Sequence, residues 1–175
     1  GSEMCIRDRI TIDLKDEGSR AVVCGLIESA DVLIENFGSG VMRRLQLSCE
    51  ECQLMNPRLV YVSLPGYARN DAEFEGVKAW DSIVMASSGV FRDMGLNRTL
   101  LGVSASFSGL PMPSVYASIF GAFAVLSALF DERWGEYVEV PLASCLAEAL
   151  VHNSIQFPLD GCYLNQRQQR IERNE

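Results

Sequence analysis

Apolar and polar residues alternate over residues 10–14 (ITIDL), and apolar residues then recur every three to four positions through DEGSRAVVCGLIESA, residues 16–30. The first pattern predicts a strand and the second a helix. Two further apolar runs, DVLIEN at 31–36 and RLVYVSL at 58–64, predict strands, with the short helical pieces SGVMRRL and SCEECQLM between them. Ser48, followed three residues later by Glu51, forms a capping box that opens the second of these pieces. Beyond them lie a polar loop at 65–79, a helix over about 81–87, a Gly-, Asn- and Ser-rich stretch at 89–108 and a long apolar helix over about 113–132. A strand at 135–142 and a helix at 143–154 complete the pattern. Strands alternating with helices predict βαβ units joined by right-handed crossovers, and hence an α/β fold with a mainly parallel sheet.

The helix at 113–132 approaches the length of a membrane span. Ser114, Ser118, Gly121 and Ser127 interrupt it and FDERW closes it, so it is expected to be a helix buried on most faces, its small residues allowing close packing. Composition supports a soluble, cytoplasmic domain: 48 % of the 175 residues are apolar, enough for a sizeable core, and 22 % are charged. The net charge of −8 argues against a nucleic-acid or anionic-membrane surface, so an anionic ligand must be held by a few local cations. Six cysteines at irregular spacing, Cys5, Cys24, Cys49, Cys52, Cys145 and Cys162, read as reduced thiols, and the single CxxC of Cys49 and Cys52 lacks the second ligand pair of a metal site.

In an open parallel sheet ligands bind beyond the carboxyl ends of the strands. The chain's two lysines, Lys15 and Lys78, fall in segments expected there, and Arg43 and Arg44 follow the second strand. Cations beside glycine-containing turns suit a phosphorylated ligand, although solvated surface charge explains them equally well. At the N-terminus, GSEMCIRD resembles the translation of a sequencing-library adapter, so residues 1–9 are set aside; they hold two acids and two bases, and the net charge is unaffected. The domain is then expected over 10–155, with a truncated tail at 156–175.

ITIDLKDEGSRAVV, ADVLIENFGSGVMRRLQL, NPRLVYVSLPGY, VKAWDSIVMASSGV and GEYVEVPLAS follow, in order and spacing, the pattern of family III CoA-transferases of the CaiB/BaiF type. The resemblance runs from about Ile10 to Ser144 and starts partway into the family's sequence. It implies an incomplete Rossmann-like large domain, which in complete members forms an interlaced homodimer. It also implies coenzyme A as substrate, with CoA passed between carboxylic acids and no covalently bound cofactor or metal. Residues matching the family's CoA site are Leu14 and Lys15; Asn36, Phe37 and Gly38; Arg44; and Val77, Lys78, Ala79 and Trp80. One departure is Gly38 and Ser39, where the family often has Arg-Pro.

The family's nucleophile is an aspartate in a G-x-P-x-x-D segment, which attacks the acyl-CoA thioester. The same segment here ends in Ser114. A hydroxyl needs a neighbouring base to act as a nucleophile, and the single histidine, His152, lies in a later helix. Ser114 is therefore expected to be the N-cap of the long helix, preceded by Pro113, with its Oγ accepting a first-turn N–H. Asp81 and Asp93 are the nearby acids that could substitute for the missing nucleophile, but Asp81 matches a different position of the family and spacing supports neither. The leading expectation is a CoA-binding half of a longer, tandem-domain transferase. A non-catalytic CoA-binding or dimerisation domain is the alternative, followed by an acyl-CoA racemase, which would need a His and Asp base pair.

Overall fold

The structure is a computed structural model, and the residues described are 9–74, 76–91 and 107–150. Three parallel strands, β1 (Val32–Glu35), β2 (Val60–Ser63) and β3 (Tyr137–Glu139), form a sheet in the order β1-β2-β3. Val32 pairs with Val60 and Glu35 with Ser63, while Tyr61 pairs with Tyr137 and Ser63 with Glu139. Every residue of β2 is buried, as a central strand covered on both faces must be.

Side chains alternate across the sheet and so feed two separate cores. On one face Leu33, Tyr61 and Tyr137 meet α1 (Glu17–Ser29), α2 (Val41–Arg44) and α3 (Cys49–Met55) through Ile27, Leu47, Cys49 and Cys52. On the other face Val60, Val62 and Val138 receive Val125, Ala128 and Leu129 of α5 (Met112–Phe130). A further cluster joins α4 (Asp81–Ser87) and α6 (Leu142–Ala149) through Val84, Met85 and Leu146. The result is a helix–sheet–helix sandwich of the α/β class.

Local chemistry accounts for the helix starts. The Asp16 carboxylate accepts the Ser19 N–H at 2.8 Å and caps α1, and this bonding lowers the Asp16 pKa. The expected capping box at α3 is present: Glu51 Oε2 accepts the Ser48 N–H at 2.8 Å, and Ser48 Oγ accepts the Glu51 N–H at 3.4 Å.

Two expectations fail. Residues 10–13 form no strand, since they join no ladder and Ile10 is 57 % exposed; Leu14 and Lys15 lie in a turn. Alternation specifies a face for a strand but not a partner, and residues 10–13 pair with no strand of the sheet among the described residues. The long helix is also not buried on most faces. Ala117, Gly121 and Ala128 carry α5 close to the sheet on one side, where a Cβ on Gly121 would lie 3.2 Å from Leu64, but Val115, Ile119, Phe123, Leu126 and Phe130 face outward. By length and composition α5 is the one described helix able to cross a membrane, and its inner face packs in the cores above. The last expected helix ends its described part at Ala149, while His152, Asp93 and the tail lie outside the described residues.

Candidate functional site

Beyond the carboxyl ends of the strands lies a cleft of about 960 Å³. Its walls come from the turn after β1, the loop between β2 and α4, and the first turns of α2 and α5. Asn36, Phe37, Gly38 and Arg44, after β1, and Val77, Lys78, Ala79 and Trp80, before α4, line it, as does Ser114 of α5. Nine of the eleven residues singled out in the sequence are thus brought together. Leu14 and Lys15 are not: Leu14 packs against the α1–α3 core, and the Lys15 N–H is bonded to Asp13 Oδ1 at 2.9 Å.

A close backbone approach holds the second wall. Gly66 lies so near Ala79 that a Cβ on it would sit 1.6 Å from the Ala79 Cβ, so residue 66 must be glycine for residues 77–80 to stand where they do. The neighbouring Pro65 and Gly66 carbonyls accept the N–H groups of Leu142 and Ala143 at 2.8 and 3.0 Å, tying the same loop to α6. Tyr67 stacks on Phe74 at 4.1 Å between ring centres, closing the loop on itself.

Among the described residues four cations line the cleft: Arg43, Arg44, Arg69 and Lys78. Among the described residues the salt bridges are those of Arg133 with Asp131 and Glu136, so none of the four is paired with a carboxylate. Beside them Phe37, Val77 and Trp80 present apolar surface to solvent, Trp80 being 68 % exposed. The Arg69 guanidinium lies over the Tyr137 ring, 5.3 Å from its centre, whereas Arg43, Arg44 and Lys78, next to exposed aromatic and aliphatic groups, match a ligand with both anionic and flat or aliphatic parts.

Among the described residues four acids also line the cleft, Glu35, Asp71, Asp81 and Glu139, and of these only Asp81 drew attention in the sequence. Glu35 and Glu139 end the two edge strands, on the same sheet face as the paired Tyr61 and Tyr137, whose ring centres are 5.9 Å apart. Strand-final polar residues on the core-facing register are the signal that was missed. Burial, reinforced by the bond to Glu139, pushes the Tyr137 hydroxyl up to about 12, and burial pushes the Cys49 thiol up to about 11. Neither is a nucleophile or base near neutral pH.

Ser114 is not the expected N-cap. The helix begins at Met112 with Pro111 as N-cap, placing Ser114 at the third helical position. Its N–H donates to Asp81 Oδ1 at 2.8 Å, and its hydroxyl donates to Asp81 Oδ2 at 2.7 Å. The free donors of the first turn are therefore fully accounted for: Pro111 and Pro113 have none, Met112 N–H meets Leu110 O, and Ser114 N–H meets Asp81. The carboxylate of a second helix does what a local N-cap side chain would do. Spacing gives no hint of this, since the partners are 33 residues apart.

The description CoA-transferase family III matches residues 7–173. The chain is 40 % identical over 167 residues to the CoA-transferase/lyase DddD of Marinomonas sp. (strain MWYL1), covering 93 % of this chain and 20 % of that one. It is 33 % identical over 138 residues to the acetyl-CoA:oxalate CoA-transferase of Acetobacter aceti, covering 78 % of this chain and 34 % of that one. A CAIB/BAIF family protein from Brucella suis shares the fold, with a TM-score of 0.74 at 24 % identity over 87 % of this chain and 40 % of the other. The chain spans about a fifth and a third of the length of the two curated relatives, the first being roughly twice as long as the second. With nearly its whole length matched by one family description, the chain belongs to CoA-transferase family III.

Proposed function

We propose that this domain binds CoA and acyl-CoA in the cleft but contributes no nucleophile of its own, the acyl-transfer position being taken by Ser114. The observation that carries this reading is the Ser114–Asp81 pair. The Asp81 carboxylate meets the Ser114 hydroxyl at 2.7 Å, so the serine does have an acceptor beside it; because the same carboxylate also holds the Ser114 N–H at 2.8 Å, we read the pair as a tie between two helices. An aspartate attacks a thioester at neutral pH without help and gives a mixed anhydride, still activated for transfer; a serine would give an ordinary ester. Supporting the binding half of the reading are the cations Arg43, Arg44 and Lys78 and the exposed Phe37, Val77 and Trp80.

The nucleophile is then supplied by a second, aspartate-bearing domain of a cytoplasmic transferase in tandem with this one, since a homodimer partner would carry the same Ser114. The roughly doubled length of the Marinomonas relative suits the tandem form. The test is intact-mass spectrometry of the full chain after incubation with acetyl-CoA. No covalent acetyl adduct is expected, whereas stoichiometric acetylation at Ser114 would overturn the silent-site reading. The same tie favours a non-catalytic CoA-binding domain if adding an aspartate-bearing partner domain restores no transfer.

A further inference from the structure

Among the described residues, four carboxylates line a cleft proposed to take an anion, and three of them share one bonding pattern. Glu35 accepts the Phe37 N–H at 2.7 Å and the Ser63 hydroxyl. Glu139 accepts the Arg69 N–H at 2.7 Å and the Tyr137 hydroxyl at 2.9 Å. Asp81 accepts the N–H and the hydroxyl of Ser114. Each takes one backbone amide and one hydroxyl, and each amide belongs to a different wall: the turn after β1, the loop after β2, and the start of α5.

We infer that Glu35, Asp81 and Glu139 are positioning residues, each tethering one wall of the cleft so that the neighbouring cations and apolar groups face the ligand. Bonds from an N–H and an O–H satisfy a carboxylate without drawing a cation, because they share its charge among neutral donors. Arg43, Arg44 and Lys78 are left without a carboxylate partner among the described residues and can meet phosphate, while the Arg69 guanidinium lies over the Tyr137 ring, 5.3 Å from its centre. The arrangement also explains where the acids sit. Glu35 and Glu139 end the two edge strands, flanking Ser63 of the central strand, so the rigid sheet is the anchor and the loops are what it holds. Glu35 matters most for the ligand, since its amide partner, Phe37, lies in the turn of Asn36, Phe37 and Gly38.

This inference rests on the CoA reading, and its test separates the two. The full chain and its Glu35→Ala, Glu35→Gln and Ser63→Ala variants are titrated with CoA, and amide hydrogen exchange is followed at Phe37 and Arg69. In Glu35→Ala, CoA binding is expected to weaken about tenfold, a change of about 1.4 kcal/mol, with faster exchange at Phe37 and unchanged exchange at Arg69. Glutamine keeps an oxygen for the Phe37 N–H and an amide that donates to Ser63, so Glu35→Gln is expected to stay within about threefold of the parent chain. Ser63→Ala, which removes only the hydroxyl, is expected to fall between them and reads the same tie if Glu35→Ala does not fold. Parent-like affinity in Glu35→Ala or Ser63→Ala, or a Glu35→Gln loss as large as that of Glu35→Ala, overturns the tether. Absence of CoA binding by the parent chain instead overturns the binding reading, and in that case rapid exchange of its Phe37 amide overturns the tether as well.

Discussion

Ser114 gives both its backbone N–H and its hydroxyl hydrogen to Asp81, at 2.8 and 2.7 Å, joining the first turn of α5 to the first residue of α4. Ser114→Ala removes one hydrogen bond to a charged group and is expected to cost about 1–2 kcal/mol of unfolding free energy in urea. Asp81→Ala removes both bonds and leaves the helix start without its negative partner, for a loss of about 2–3 kcal/mol. The ordering carries the test: equal losses would show that the backbone bond contributes nothing.

Gly66 stands against Ala79 with no room for a methyl group. Gly66→Ala is expected to push residues 77–80 out of the cleft, destabilise the chain by about 1–3 kcal/mol and weaken CoA binding. Adding Ala79→Gly removes the clashing Cβ and is expected to recover most of both losses. A double variant no better than Gly66→Ala would place the effect in the backbone of residue 66 itself.

Gly38 is the reverse case. A side chain there meets nothing within 4 Å, and the position lines the cleft in the place where the family often carries arginine. Gly38→Arg is expected to fold as the parent does and to tighten CoA binding about two- to fivefold, the worth of one exposed charge pair. Calorimetric titration reads this directly, and weaker binding by the variant would contradict the placement of the anion.

Alkaline pH should undermine the core between the sheet and α3. Burial raises the Cys49 thiol to about 11 and the Cys52 thiol to about 12, from an ordinary value of 9.0, while the buried Tyr137 hydroxyl rises to about 12 from 10.0. A group whose folded pKa is raised keeps its proton where the unfolded chain has lost it. Its contribution is intact below the ordinary pKa and is lost as pH climbs toward the folded one. Thermal stability is therefore expected to hold up to about pH 9 and to fall steadily toward pH 11–12, with a shallower fall in Cys49→Ala. A flat profile across that window would mean that these groups are not kept protonated by folding.

Much of this architecture was legible because it rests on local periodicity. The apolar runs around Val32, Val60 and Tyr137 became the three strands, and Ser48 with Glu51 became the capping box. Residues 10–13 read as a strand on the same grounds and are not one, because alternation specifies a face and says nothing of a partner. In the site, the residues on turns and loops could be grouped by their place after a strand or by resemblance. The acids could not. Glu35 looks like the end of an apolar run, and Asp81 like the acid that opens a helix. Their partners, Ser63 and Ser114, lie 28 and 33 residues away and are set only by the tertiary fold. For the same reason the proline before Ser114 suggested a local cap, when the cap comes from another helix.

The most direct test of the account is a calorimetric titration of the full chain with CoA, run beside Arg44→Ala and Lys78→Ala variants. The account predicts saturable one-to-one binding by the parent chain, weakened severalfold by each substitution, with the parent falling toward the variants at high salt, where phosphate contacts are screened. No heat beyond dilution from the folded parent chain, or binding that both variants leave unchanged, would contradict a CoA site in this cleft.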